Sequence, residues 1–260
     1  MTPLDQAHAE MQTDPENAIL RLRFYERLAD SELFLLLESE PENDIAKPII
    51  FPVEGQKFAL VFDREERLVE FSKIPTPYIS LSGRMIVQML NGQGIGLGVN
   101  LSVAPSSILL PEETLTWLAE TLSTQPRETA AKPTAVYAPG SVPETLVRSL
   151  DTKLATMAGL AKTAYLAELA YLDAPKGHAL AFIDALEPAK PAITEAISEA
   201  LTFSGIEAGT LDVLFLNASD PICLQLDKVA LRFDLPDLQD PQAHTVKAPG
   251  SDPDKPPKLR

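Results

Sequence analysis

Apolar residues recur along this chain at two spacings, every third to fourth position and every second position, and the two spacings divide it into helices and strands. Leu20, Phe24 and Leu28, with Ile19 and Tyr25 beside them, form the stripe of an amphipathic helix over residues 16–30 that ends at Asp30 and Ser31. Leu33 to Leu37 then run without a polar interruption, as a strand buried on both faces does, and an acidic loop follows from Glu38 to Asp44. Pro48–Val53 and Lys57–Phe62 read as paired strands joined by Glu54 and Gly55. The Asp63 and Glu66 spacing is that of a capping box, which predicts a helix opening at Asp63 and broken by Pro75 and Pro77. Tyr78–Leu81 is a further strand, Ser82 is placed to cap a helix over Gly83–Leu90, and Asn91 with Gly92 supplies its stop.

The stretch from Leu90 to Val103 organises the first half. Ile95, Leu97, Val99, Leu101 and Val103 fall on odd positions, while Gly94, Gly96, Gly98, Asn100 and Ser102 fall on even ones, so the pattern predicts a strand with one apolar face and one bare face. A bare face lets a backbone, a helix or a ligand approach closely. Pro111, Glu112 and Glu113 then suit a helix first turn, with Leu115, Leu118, Ala119 and Leu122 as its buried stripe.

Residues 123–141 change to Pro, Ala, Ser and Thr, which predicts a linker between a first domain (1–122) and a second (142–235). A short strand at Ala135–Tyr137 interrupts it. Ser141 and Glu144 repeat the capping-box spacing ahead of a helix from about Pro143 carrying Leu146, Leu150, Leu154 and Met157. Leu160–Leu172 fits both helix and strand; the alternation of Tyr165, Leu169 and Tyr171 with Lys162 and Glu168 favours strand, turning at Ala174–Gly177 into His178–Ala185. Ile193, Ile197 and Leu201 mark a helix over Pro191–Phe203, stopped at Gly205, and Leu211–Leu216 is another core strand. Ile222–Leu226 and Val229–Phe233 read as a closing hairpin, and residues 236–260, without an apolar period, as a disordered tail. The whole predicts an α/β (α+β) protein of two mixed-sheet domains.

Composition and charge narrow the partners. The 260 residues carry a formal net charge of -15, which disfavours nucleic acid and anionic lipid as partners. The first 18 residues lack both a basic start and a continuous apolar core, and Leu33–Leu37 is far too short to cross a bilayer, so neither an export signal nor a membrane is expected. A single cysteine, Cys223, excludes an internal disulfide and a cysteine-built zinc cage within one chain, and fits a reducing cytoplasm.

Two stretches, FPVEGQKFALVFDREERLVEF through GIGLGVNLSVAPSSILLPEETLTWL and PETLVRSLDTKLATMAGLAKTAYLAELAY through LDVLFLNASDP, resemble the amino- and carboxy-terminal domains of the SseB family, the enhanced serine sensitivity proteins. The resemblance implies two mixed α/β domains in a bacterial cytoplasmic protein whose molecular activity is not established. The family offers no catalytic residues to carry over.

Candidate chemistry is sparse. Gly92, Gly94, Gly96 and Gly98 follow a helix and precede a strand, the reverse of a dinucleotide fingerprint, and lack the Lys and Ser/Thr of a phosphate-binding P-loop. Close packing is the first reading of the glycines and a binding groove the second. That groove would comprise Gly94, Gly96, Gly98 and Asn100, with Trp117 as an exposed anchor off the buried stripe of its helix. Cys223 in DPICLQL reads as an inert buried thiol on a strand. His8, His178 and His244, expected at a frayed end, a hairpin edge and the tail, have no metal-helix spacing, so no metal, cofactor or catalytic residue is expected. These features point to a non-catalytic adaptor or regulatory protein that binds a protein partner or a second copy of itself. The alternative is an enzyme or small-molecule sensor touching serine or sulfur amino-acid metabolism.

Overall fold

The computed structural model describes residues 1–41, 46–123, 133–140, 142–171, 176–205 and 211–236. Helix α1 (Pro3–Thr13) opens the chain where a frayed end was expected. The Thr2 hydroxyl accepts from the Asp5 amide and the Asp5 carboxylate accepts from the Thr2 amide, a closed capping box with proline in the first turn. Only Leu4 and Met11 of its buried residues are apolar, too few for a readable stripe. Helix α2 (Ala18–Asp30) is capped by Asn17, whose side-chain oxygen accepts from the Ile19 and Leu20 amides.

The first sheet is built from β1 (Glu32–Leu36), β2 (Ile50–Val53), β3 (Gln56–Phe62), β4 (Tyr78–Ser82), β5 (Gly96–Val99) and β6 (Ile108–Leu110). Its order is β4-β1-β3-β5-β6, with β2 also paired to β3. Glu54 and Gly55 both take positive φ, 49° and 83°, which is the backbone a two-residue hairpin between β2 and β3 demands. Only β3 and β5 run parallel, linked by α3 (Glu65–Ser72), β4 and α4 (Gly83–Leu90); the other pairs are antiparallel. Leu33, Leu35, Ala59, Val61, Leu97 and Val99 face the core under α2, α4 and α5 (Glu112–Leu122). Leu36, Leu60 and Phe62 meet Leu68 of α3 on the opposite face. The run Leu33–Leu37 is therefore buried on both faces, as its continuous hydrophobicity requires.

In the second half, β7 (Pro133–Tyr137), β8 (Thr163–Tyr171), β9 (Gly177–Ile183), β10 (Leu211–Leu216) and β11 (Leu231–Asp234) form a second mixed sheet ordered β10-β9-β8-β11, with β7 also paired to β8. Helices α6 (Glu144–Ala155) and α7 (Lys190–Phe203) cover one face through Leu150, Leu154, Ile193 and Ile197. Helix α8 (Cys223–Val229) sits on the other through Leu226.

Three further expectations are corrected. Helix α3 starts at Glu65, and Asp63 does not cap it because its carboxylate is taken by Arg67 and Thr2. The glycine stretch is a strand only from Gly96 to Val99, since Asn100 and Ser102 adopt positive φ and turn the chain. Residues 223–229 form α8 instead of the first arm of a hairpin, leaving β11 to pair directly with β8. The end of the acidic loop, most of the linker, Ser141, the turn ahead of Gly177, His244 and nearly all of the expected tail lie outside the described residues.

Candidate functional site

The parallel pair β3 and β5 explains the glycines. Phe58 and Leu60 of β3 stand in register with Gly96 and Gly98 of β5. Their side chains lean across the bare face: a methyl on Gly96 would lie 2.7 Å from Phe58 Cε1 and 2.5 Å from the Leu110 carbonyl oxygen. A methyl on Gly98 would lie 2.6 Å from Leu60 Cδ2 and 2.9 Å from Leu101 Cδ1. The neighbouring strand and the turn after β5 fill the face that the pattern left empty. Gly94 is exposed at positive φ, and its amide donates to the Glu112 carboxylate at 3.1 Å.

Asn100 is fully buried where β3 and β5 end side by side. Its amide donates to the Val61 carbonyl at 2.9 Å, its side-chain oxygen accepts from the Asp63 amide at 3.1 Å, and its side-chain nitrogen donates to the Ser106 hydroxyl at 2.8 Å. Ser106 donates in turn to Asp5 at 2.6 Å. Arg67 donates to both oxygens of Asp5, at 3.0 and 2.6 Å, and to Asp63 at 2.7 Å, while the Thr2 hydroxyl donates to the second oxygen of Asp63 at 2.5 Å. Burial alone would raise the Asp5 carboxyl, but Arg67, Ser106 and the Thr2 amide together hold it well below the usual carboxylate range. This network pins α1 over the carboxyl ends of the two parallel strands, and Asn100 works as a tie within it.

Trp117 lies apart from the buried glycines. It projects from α5 with 39% of its surface exposed and its ring 5.4 Å from that of Tyr25 on α2. The two rings, with Leu22, Ala18, Arg21 and Glu113, line a cleft of about 390 Å3 between α2 and α5. The sequence-derived groove therefore divides into a filled interior at Gly96, Gly98 and Asn100 and an open aromatic cleft at Trp117.

A second polar cluster, not visible in the sequence, joins the halves. Lys153 of α6 is 4% exposed, with Nζ 2.7 Å from Asp30, 3.2 Å from Glu199 and 3.7 Å from Glu26. Arg84 of α4 donates to both oxygens of Glu199, at 2.9 and 3.0 Å, and to Asp30 at 2.9 Å. Three carboxylates thus share two cations. Burial pushes the Glu26 carboxyl up to about 7 against the pull of Lys153.

Cys223 is half-buried at the start of α8, its Sγ 3.3 Å from the Asn217 carbonyl oxygen. Burial raises its thiol, and Asp220, Asp184 and Asp227 raise it further, the opposite of what activates a thiolate. His8 is buried edge-on against Phe24, and burial lowers its imidazole in spite of Asp5.

Fold and site together define an acidic, two-sheet α+β protein whose chain-spanning features are packing and ion pairing. Residues 4–117 match the family model described as the SseB protein N-terminal domain, and this part of the chain is similar to that family. The match covers the first sheet and does not reach the second. No curated protein and no solved structure matches the chain. No helix among the described residues is long and apolar enough to cross a membrane.

Proposed function

We propose that this is a non-catalytic binding protein of the bacterial cytoplasm, an adaptor or regulatory protein that offers the cleft between α2 and α5 to a protein partner. The observation that carries the reading is the exposed Trp117 ring held against Tyr25 at the mouth of an apolar cleft. Rigid aromatic pairs that are half in water gain much from burial and lose little entropy on binding, which is why such residues dominate protein interfaces. Arg21 and Glu113 flank the rings with opposite charges, so the fitting partner is a segment with one large apolar side chain between an acidic and a basic residue. For the alternative, an enzyme or small-molecule sensor touching serine or sulfur amino-acid metabolism, the carboxylates around Cys223 weaken the version that uses the thiol.

A photo-crosslinking residue placed at Thr114 tests the reading in cells. A discrete protein adduct that disappears in Trp117→Ala, while Cys223→Ala leaves it intact, supports it. An adduct pattern indifferent to Trp117, or turnover of a metabolite by the purified chain that needs Cys223, overturns it.

A further inference from the structure

A polar cleft of about 220 Å3 opens between α1, α2 and α6, on a different side of α2 from Trp117. Arg23 and Arg27 reach it from α2 and Arg148 from α6, with Gln6 and Glu10 on the α1 wall. The chain has 37 Asp and Glu against 22 Lys and Arg, so carboxylates for an arginine are plentiful. Arg67 and Arg84 each take two of them. Arg23 and Arg27 are half-buried, yet neither forms an ion pair or a side-chain hydrogen bond with any described residue.

A second, independent observation comes from α6. Ser149 lines the same cleft, is 7% exposed, and its hydroxyl has no hydrogen-bond partner among the described residues. Thr152, one turn on, returns its hydroxyl to the Arg148 carbonyl at 3.0 Å, as helical Ser and Thr commonly do; Ser149 does not. Ser149 and the two half-buried arginines thus line one cleft with side-chain donors that have no acceptor among the described residues. Their common chemistry is donation to oxygen anions, and the planar fork of arginine matches a phosphate or a carboxylate.

We propose that the cleft between α1, α2 and α6 is a binding site for a small oxyanion, a phosphate or carboxylate group, held by Arg23, Arg27 and Arg148 and by the Ser149 hydroxyl. Because α1 and α2 belong to the first half and α6 to the second, the anion bridges the halves and stabilises their junction by mass action. Glu26 forms part of the same wall. Its carboxylate lies 3.7 Å from Lys153 Nζ of α6 and feels the charges of Glu199 from α7 and of Asp30 and Arg27 on its own helix, while Arg148, Glu10 and Arg23 line the same cleft. An anion beside it disfavours its charged form, so anion and proton bind cooperatively and affinity rises as pH falls.

Calorimetric titration of the full chain with sulfate, exchanged for chloride at constant ionic strength, tests this, because sulfate keeps its charge across the range. One saturable site is expected. Arg23→Gln with Arg27→Gln should weaken it by about tenfold or more, Ser149→Ala by less, and Arg21→Gln on the other side of α2 not at all. Affinity should rise from about pH 8 to about pH 6, and Glu26→Gln should flatten that rise. Competition by methyl phosphate above acetate, or the reverse, supports the site and identifies its source. Absence of saturable binding, binding unchanged in the double arginine variant, equal loss with Arg21→Gln, or failure of both competitors overturns the proposal. Circular dichroism and the milder Ser149→Ala variant separate lost binding from lost fold.

Discussion

Two buried polar clusters in one protein solve the same problem differently. Around Asp5, every charged group is met by neutral donors or by Arg67, and all partners belong to the first sheet unit. Between the halves, the ion pairs of Glu26, Asp30 and Glu199 among the described residues go to Lys153 and Arg84, and no neutral side chain among those residues makes up the difference. The first cluster is closed and holds its carboxyl ionised; the second carries a surplus acid and pushes one carboxyl toward neutrality. A buried ion pair lends stability only where every partner is satisfied, so the first cluster should behave as a clasp and the second as a junction that conditions can loosen.

The largest expected effect is at Lys153. Lys153→Met leaves Glu199 and Asp30 with Arg84 alone and should cost about 3–5 kcal/mol in chemical denaturation. An effect under about 1 kcal/mol would show that the junction charges are solvated and that the contrast between the clusters is false. Arg67→Met should cost nearly as much in the other cluster and should expose α1 to proteolysis, because Asp5 and Asp63 lose their shared cation.

Acid and base sharpen the comparison, since the clusters have opposite signs. Glu26 has a folded value of about 7, raised from 4.5, so its contribution is fully present below 4.5 and is lost as pH rises through about 7. The difference is up to about 3 kcal/mol, and Glu26→Gln should remove that slope from a plot of stability against pH. Asp5 is depressed, so its contribution is present above its ordinary value of 3.8 and is lost as pH falls through its lower folded value; Asp5→Asn should flatten the acid limb only. A smaller effect, about 2 kcal/mol, is expected for Gly96→Ala, where the added methyl meets the Leu110 carbonyl, which cannot move freely. The smallest is Trp117→Ala, within about 1 kcal/mol in stability because the ring is partly exposed, with its effect confined to partner binding.

Much of the architecture was legible because it depends on short-range patterning. The stripe Leu20, Phe24, Leu28, the run Leu33–Leu37, the turn at Glu54 and Gly55 and the helix after Pro111 all appear where their residues predict them. Helix α1 was hidden because a capping box and a buried ion network stabilise it, and neither produces an apolar stripe. Asp63 misled for a related reason: a carboxylate three residues before Glu66 can cap a helix, but one beside Arg67 and Thr2 is better used in the network. Cys223 read as a strand residue because Ile222, Leu224 and Leu226 alternate, whereas contact of Leu226 with the sheet selects a helix.

The candidate sites divide along the same line. The parity of Gly94, Gly96, Gly98 and Asn100 was readable, and so was the place of Trp117 off its buried stripe. That Phe58 and Leu60 would fill the bare face followed only once β3 and β5 were paired in parallel. The sequence by itself determined the helix stripes, the strand alternation and the acidic surplus, because these depend on neighbours a few residues apart. Only the tertiary structure decided that Arg84 would meet Glu199 across 115 positions and that Arg23, Arg27 and Ser149 would line one cleft. Electrostatic and hydrogen-bonding partners are chosen by distance in space, and no local period records them.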